Sequence, residues 1–390
     1  MDGASQGLQA WYDSVVLVPA PDNACDEGFI MPLGRKICIS PRLCVGVLLG
    51  ASIFVACLGT EARADDPPGT VKLLEQAGGQ LKRNADGGIT DVRLQGPAPT
   101  EELLEALSTL PQLRSLVLAE TETSDKQLAV IGRLSRLRNL DLRGCPIGNA
   151  GLAQLVGMTD LAAIRFSGES GATTVDDAGM MHLAKLPSLR TVMLDFLWVS
   201  EEGLALLTPL RDLTELTLAQ TLIGDESLPI VARFTKLRRL RLARTPVTGA
   251  GLMSLTGLGE LRDLDLSECA SLDDAAVEPV GQLQSLQRLN LWRVPIGDAG
   301  VARLQSLTRL QWLNIDNTLL SDAGLEALTG MERLETLHLG STAVSNAGVP
   351  TLEKLTSLRE LFLARTAVDE VGITQLQKAL PRTRIVSAAD

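Results

Sequence analysis

Few side chains in this sequence are equipped for chemistry, and many of them fall in its last hundred residues. Asp316 and His338 are the pair from which an acid–base dyad could be built, because an imidazole oriented by a carboxylate takes and returns a proton near neutral pH. The stretch "DNTLLSDAGLEAL" (316–328) crowds two aspartates, an asparagine, a serine and a glycine into one turn, the composition of a catalytic or cation-holding loop. Around it stand Trp292, Arg293, Trp312, Asn314 and Phe362, and tryptophan and arginine are the types that dominate binding energy at interfaces. Yet the same loop is respelled as "RVPIGDAGVARL" (293–304), "STAVSNAGVPTL" (341–352) and "GCPIGNAGLAQL" (144–155). A loop that recurs at fixed spacing is architecture. A lone histidine in a variable position is a contact residue, and the sequence has no phosphate loop, nucleophile elbow, zinc-spaced His/Cys set or dinucleotide fingerprint. The expectation is a non-enzymatic protein with no cofactor and no bound metal.

The elements that position these residues follow from leucine spacing. The pattern L-x-x-L-x-L begins at Ile89, Leu113, Leu137, Leu161, Leu189, Leu213, Leu237, Leu261, Leu286, Leu310, Leu334 and Leu358, nearly always 24 residues apart. The fourth repeat has 28 residues, lengthened around "SGESGATT" (167–174), and the eighth has 25. Period-two alternation in "LNI" (313–315) and "LHL" (337–339) predicts a short strand with both aliphatic side chains on one face. Leu325, Leu328 and Met331 then fall at helical spacing. Asp322, Asn149, Asp177, Asp298 and Asn346 precede these helices and are expected to be N-caps, with the following glycine allowing close chain approach. The acids of the opening loop are therefore read as scaffold.

Three residues after the last strand leucine, Thr121, Thr221, Thr245, Thr318, Thr342 and Thr366 form a column shared with Cys145 and Cys269. Small polar side chains there are expected to bond backbone groups of neighbouring coils. The two cysteines are read as structural fillers that cannot pair, since five stacked strands separate them by roughly 24 Å. One such unit cannot bury its own apolar face, whereas a stack shares one core and needs caps. Residues 65–88 supply an amphipathic helix and a polar strand for the first end, 89–381 the twelve repeats, and 382–390 a last strand for the other.

The strands "LETLHL" (334–339) and the segments "SDAGLEAL" (321–328) make the chain similar to leucine-rich repeat proteins. Within that family it resembles the bacterial 24-residue, helix-bearing repeats related to the ribonuclease-inhibitor and GALA-like classes, with threonine where asparagine is usual. The resemblance covers residues 89–390 and implies an α/β fold, a curved solenoid with parallel strands on the concave face and short helices on the convex one. It also implies protein recognition.

Composition fits. Hydrophobic residues are 45% of the 390-residue chain but aromatics only 3%, as a core of repeated aliphatic layers requires. A net charge of −11 argues against sequence-independent nucleic-acid binding. The amino terminus is separate. Arg35, Lys36 and Arg42 precede an apolar run from Leu43 to Gly59 that closes on Ala62-Arg63-Ala64, the grammar of a secretory signal peptide over 31–64. That implies an extracytoplasmic protein: periplasmic, surface-held or secreted. Cleavage after Ala64, retention as a membrane anchor and lipid attachment at Cys57 all stay open. Met31 is read as the native start, with residues 1–30 an upstream extension.

If strands line the concave face, their central variable positions are Arg93, Val117, Asp141, Arg165, Met193, Thr217, Arg241, Asp265, Asn290, Asn314, His338 and Phe362. Varied chemistry over an invariant core is what a recognition surface needs. The expected contact residues are Trp292, Arg293, Trp312, Asn314, Asp316, His338 and Phe362, with Arg288 beside them, and the partner a protein or peptide. A second group, Met193, Asp195, Phe196 and Trp198, follows the enlarged repeat. Arg238, Arg239, Arg241 and Arg244 face Asp263, Asp265 and Glu268 one repeat on, and these rows are expected to satisfy each other rather than bind phosphate. A monomer is expected.

Overall fold

The structure, a computed structural model, describes residues 45–49, 52–56 and 66–387. The chain divides into two units, residues 1–65 and 66–390. In the first, Val45–Leu49 and Ser52–Ala56 pair as antiparallel strands. The extension 1–30, the basic residues before Leu43, Cys57 and the site after Ala64 lie outside the described residues. No helix among the described residues is long and apolar enough to cross a membrane.

The second unit is built on one fourteen-stranded sheet, open at both ends, in which strands follow sequence order. Gln80–Arg83 runs antiparallel to Ile89–Arg93, and every later pairing is parallel. Register is fixed by the buried middle residue: Leu289 pairs with Leu313, Leu313 with Leu337, Leu337 with Leu361, and Leu361 with Ile385. A slip of one residue would turn every leucine to solvent. Leu310, Leu313 and Ile315 are fully buried, so Trp312 and Asn314 occupy the opposite, strand-face side, where both are half-buried. The core is a continuous aliphatic column from Leu74 to Leu380, with Phe166 and Phe234 as its aromatic members. Before the first repeat strand, helix Pro68–Gln76 tucks Thr70 and Leu74 inward. At the far end the strand Arg384–Val386 closes the sheet.

The convex side mixes short α-helices with 3-10 turns. "DAGLEAL" winds as a 3-10 helix over Asp322–Leu328 rather than an α-helix. With only one or two turns between coils, the tighter winding covers the distance with fewer residues.

Two columns work differently from the sequence expectation. The threonine hydroxyls do not bond the backbone of neighbouring coils, and only Thr121 and Thr245 touch the next coil, through Cys145 and Cys269. Thr121, Thr221, Thr245, Thr318, Thr342 and Thr366 each donate to the carbonyl three residues earlier in their own coil, at 2.6–2.8 Å. The cysteines make the link between coils: Cys145 Sγ lies 3.0 Å from the Leu118 carbonyl and Cys269 Sγ 3.1 Å from that of Leu242. Both are unpaired and buried, and burial pushes their thiols up, keeping them protonated and inert.

Asp322, Asn149, Asp177, Asp298 and Asn346 are not the N-caps; each is the first residue of its helical segment. The capping side chain in "SDAG" is Ser321, whose hydroxyl accepts from Ala323 N–H, and Asp322 is the first helical residue. Asp322 instead reaches forward one coil, where Oδ1 accepts from Ser345 N–H at 2.8 Å and Oδ2 from its hydroxyl at 2.6 Å. Asp298 does the same to Ser321, Asp177 to Ser200 and Asp225 to Thr248. Each of these four caps is thus bracketed by the previous coil's carboxylate. The glycine follows from this: a Cβ on Gly324 would sit 2.5 Å from Asp298 Oδ1.

Candidate functional site

Each strand presents two side chains to the strand face, and parallel register stacks them into columns. In the last four repeats these columns carry rings. His338 and Phe362, paired across neighbouring strands, stack with centroids 4.1 Å apart and planes within 3°. Trp312 meets the other side of His338 at 5.3 Å, tilted by 56°. The Arg288 guanidinium lies 4.4 Å from the centre of the Trp312 ring. Arginine, indole, imidazole and phenyl therefore form one ladder across four strands. Its members are half-buried or exposed, so ring surface remains open to a partner. Cation–π contacts of this kind contribute about 0.5–2 kcal/mol each.

Asp316 stands beside this ladder. Its Oδ1 accepts from Gly340 N–H, and Oδ2 lies 3.7 Å from His338 Nδ1, beyond hydrogen-bond reach. Burial pushes Asp316 above the usual carboxylate range and holds His338 below the usual imidazole range, each disfavouring its charged form. A general base needs its proton partner in contact, and this geometry lacks it. Asn314 has a local duty, its side-chain oxygen accepting from Asp316 N–H at 2.9 Å. Asn290 does the same for Trp292, at 3.1 Å.

Trp292 and Trp312 belong to different columns. Trp312 opens its strand, whereas Trp292 follows Leu291 and aligns with Asp316 through the inter-coil bonds Glu268 N–H to Trp292 O and Arg293 N–H to Asp316 O. Trp292 joins a second line along the rim. Arg293 covers its ring at 5.3 Å and pairs with Glu268 at 3.2 Å, Glu268 holds Arg244 at 2.6 Å, and Arg244 lies 6.0 Å from the Phe196 ring. All five rim residues from Phe196 to Arg293, Gln220 included, have left-handed backbone, with φ between 50° and 62°. Such a conformation costs about 1–2 kcal/mol in a non-glycine residue. A backbone N–H bond to the next coil holds each one, for example Phe196 to Ala219 O at 2.7 Å. Little in the sequence marked this column, because glycine, the usual sign of left-handed backbone, stands among its left-handed members only at Gly96 and Gly144.

The arginine strip is consumed internally. Arg241 bridges Asp195 and Asp265 at 2.7 and 3.0 Å, Arg239 bridges Glu215 and Asp263 at 3.1 and 2.9 Å, and Arg238 pairs with Glu260. Within the second aromatic group, Asp195 enters this network, Met193 is half-buried and Trp198 is 70% exposed on the flank. Among the described residues no cluster of three or more His, Cys, Asp or Glu side chains is arranged to hold a metal ion.

The family described as leucine-rich repeat region matches residues 219–384, and a second leucine-rich repeat family matches residues 135–156. The chain is a leucine-rich repeat protein. Among solved structures it is similar to an internalin (inlF) from Listeria monocytogenes, with 19% identity and a TM-score of 0.56 over 83% of this chain and 94% of that one. Internalin C2 from the same organism shares 26% identity with a TM-score of 0.42, over 55% of this chain and 84% of that one. The likeness to inlF, at this distance, speaks for the fold alone. No curated protein matches the sequence.

Proposed function

We propose that this leucine-rich repeat chain is an exported recognition scaffold that takes a protein or peptide on its strand face. The contact residues are Trp292, Arg293, Trp312, Asn314, Asp316, His338 and Phe362. The observation that carries the reading is the ladder of Arg288, Trp312, His338 and Phe362, whose rings lie outside the leucine core yet are held rigid by stacking. Pre-ordered aromatic surface costs little entropy to bind, which is why such residues serve as anchors. Export rests on the sequence grammar of residues 31–64, and the working form is a monomer anchored through, or freed from, that segment. No catalytic role or cofactor is assigned.

The test is capture from cell-envelope extract with wild-type protein and with Trp312→Ala and Trp292→Ala. Anchors of this type contribute about 2 kcal/mol or more of binding, so each variant should release a partner the wild type retains. Stable variants that capture every wild-type partner would point to a structural envelope protein without a ligand at this face.

A further inference from the structure

The strand face treats its acids in two ways. From the fifth repeat to the eighth, Asp195, Glu215, Asp263, Asp265 and Glu268 each have an arginine within 3.1 Å, and at the end of the sheet Glu360 has Arg384 at 3.3 Å. Asp316 lies between these groups on the same face, and among the described residues its one basic neighbour in reach is His338, at 3.7 Å. Its side chain is only 25% exposed. A half-buried carboxylate with no cation beside it is costly, and the fifth to eighth repeats of this face relieve that cost with guanidinium groups.

The residues next to Asp316 are small, Gly340 buried and Ala364 half-buried. One coil on, the same column holds Gly340 and then Ala364, so the floor beyond the carboxylate has almost no side chain. The stacked rings of His338 and Phe362 stand along one edge of that floor, and the left-handed residue Ser341 lies along the other. Gly340 N–H already occupies Oδ1, which fixes the carboxylate and leaves Oδ2 as its free acceptor.

We infer that Asp316, the Gly340–Ala364 floor and the His338–Phe362 stack form a pocket for an arginine side chain of the bound polypeptide. The inference rests on the recognition reading above and names the chemistry of its partner. The guest guanidinium donates to Asp316 Oδ2 beside the stacked rings, repeating in trans what Arg241 does for Asp195 at 2.7 Å. Lysine, a compact and strongly hydrated charge, matches a carboxylate less well than the planar guanidinium fork.

The experiment pans a random dodecapeptide phage library on the immobilised full-length chain. Enriched peptides are then synthesised with arginine, with lysine and with its neutral isostere citrulline, and titrated against wild type, Asp316→Asn and Trp312→Ala. The asparagine oxygen still accepts from Gly340 N–H, so Asp316→Asn keeps its fold, which thermal melting verifies. The expected result is arginine-rich peptides whose affinity falls at least about tenfold with citrulline or with Asp316→Asn. The two losses should not add, because both remove one contact. Peptides without a basic residue that still lose binding to Trp312→Ala would overturn the arginine pocket and leave the recognition face standing. Peptides indifferent to both variants, or no enrichment over a blank surface, would count against both.

Discussion

Two aspartates six residues apart, Asp316 and Asp322, divide the molecule into two regions. Asp322 belongs to the flank, where its partner, Ser345 of the next coil, has counterparts in Ser200, Thr248 and Ser321. Asp316 belongs to the strand face, where the aligned residues one coil either way are Trp292 and Gly340, and only Asp195 repeats its bond to the next coil. On the flank, side chain and backbone answer each other in turn after turn, so sequence regularity and hydrogen-bond satisfaction go together. On the face, Asp265, Asn290 and Asn314 repeat a bond to the backbone two residues on, but what projects outward differs from coil to coil. The lesson is that residue type does not separate scaffold from site in a solenoid. Recurrence of the partner does.

The largest expected effect tests which side of the strand is buried. Leu313→Ala should cost about 2–5 kcal/mol of folding stability by opening a cavity. Trp312→Ala, on the other side, should cost about 1 kcal/mol, the worth of its ring contacts. Chemical denaturation of both decides it, and equal losses would erase the distinction between core and face.

Next comes the flank. Asp298→Ala removes two charge-assisted bonds to Ser321, an expected loss of about 1–3 kcal/mol. Gly324→Ala should also destabilise, but less in the Asp298→Ala background, because the carboxylate the new Cβ meets is gone. A double-mutant cycle with simple additivity would show that the bracket does not explain the glycine.

A smaller effect is expected in the ion network of the face. Arg241→Ala leaves Asp195 and Asp265 unmatched, and with the guanidinium 36% exposed the loss should be about 1 kcal/mol, shrinking further in high salt. A loss unchanged by salt would indicate that Arg241 matters for packing instead.

The smallest concerns pH. Burial holds His338 below 6.5, so in the window beneath that value the unfolded chain binds the proton more readily than the folded one. Stability from this residue is present above that window and is lost as pH falls through it. Asp316, raised above 3.8, acts oppositely and at lower pH, since the folded form then takes up the proton first. Melting temperature should decline on moving from pH 7.5 to about 5.5, and His338→Gln should remove part of that decline. An unchanged slope in the variant would mean that His338 does not titrate as its burial requires.

By itself the sequence determined the repeat, the strand register and the face each leucine turns inward, because a period of two within a period of 24 admits one buried side. It also determined that the acids of the "DAG" turns are scaffold and that the arginine rows meet acidic rows. What only the tertiary structure decided are relations between coils. Asp322 and its counterparts bracket the next cap rather than their own, the threonines close their own turn, and "DAGLEAL" winds as a 3-10 helix. Trp292 and Trp312, which read as neighbours, stand in separate columns, while Arg288, Trp312, His338 and Phe362 come together from four repeats. The physical reason is distance along the chain. A side chain's bond to its own turn is set by residues two to four away, whereas a bond to the next coil depends on residues about 24 away brought within 5 Å only by stacking.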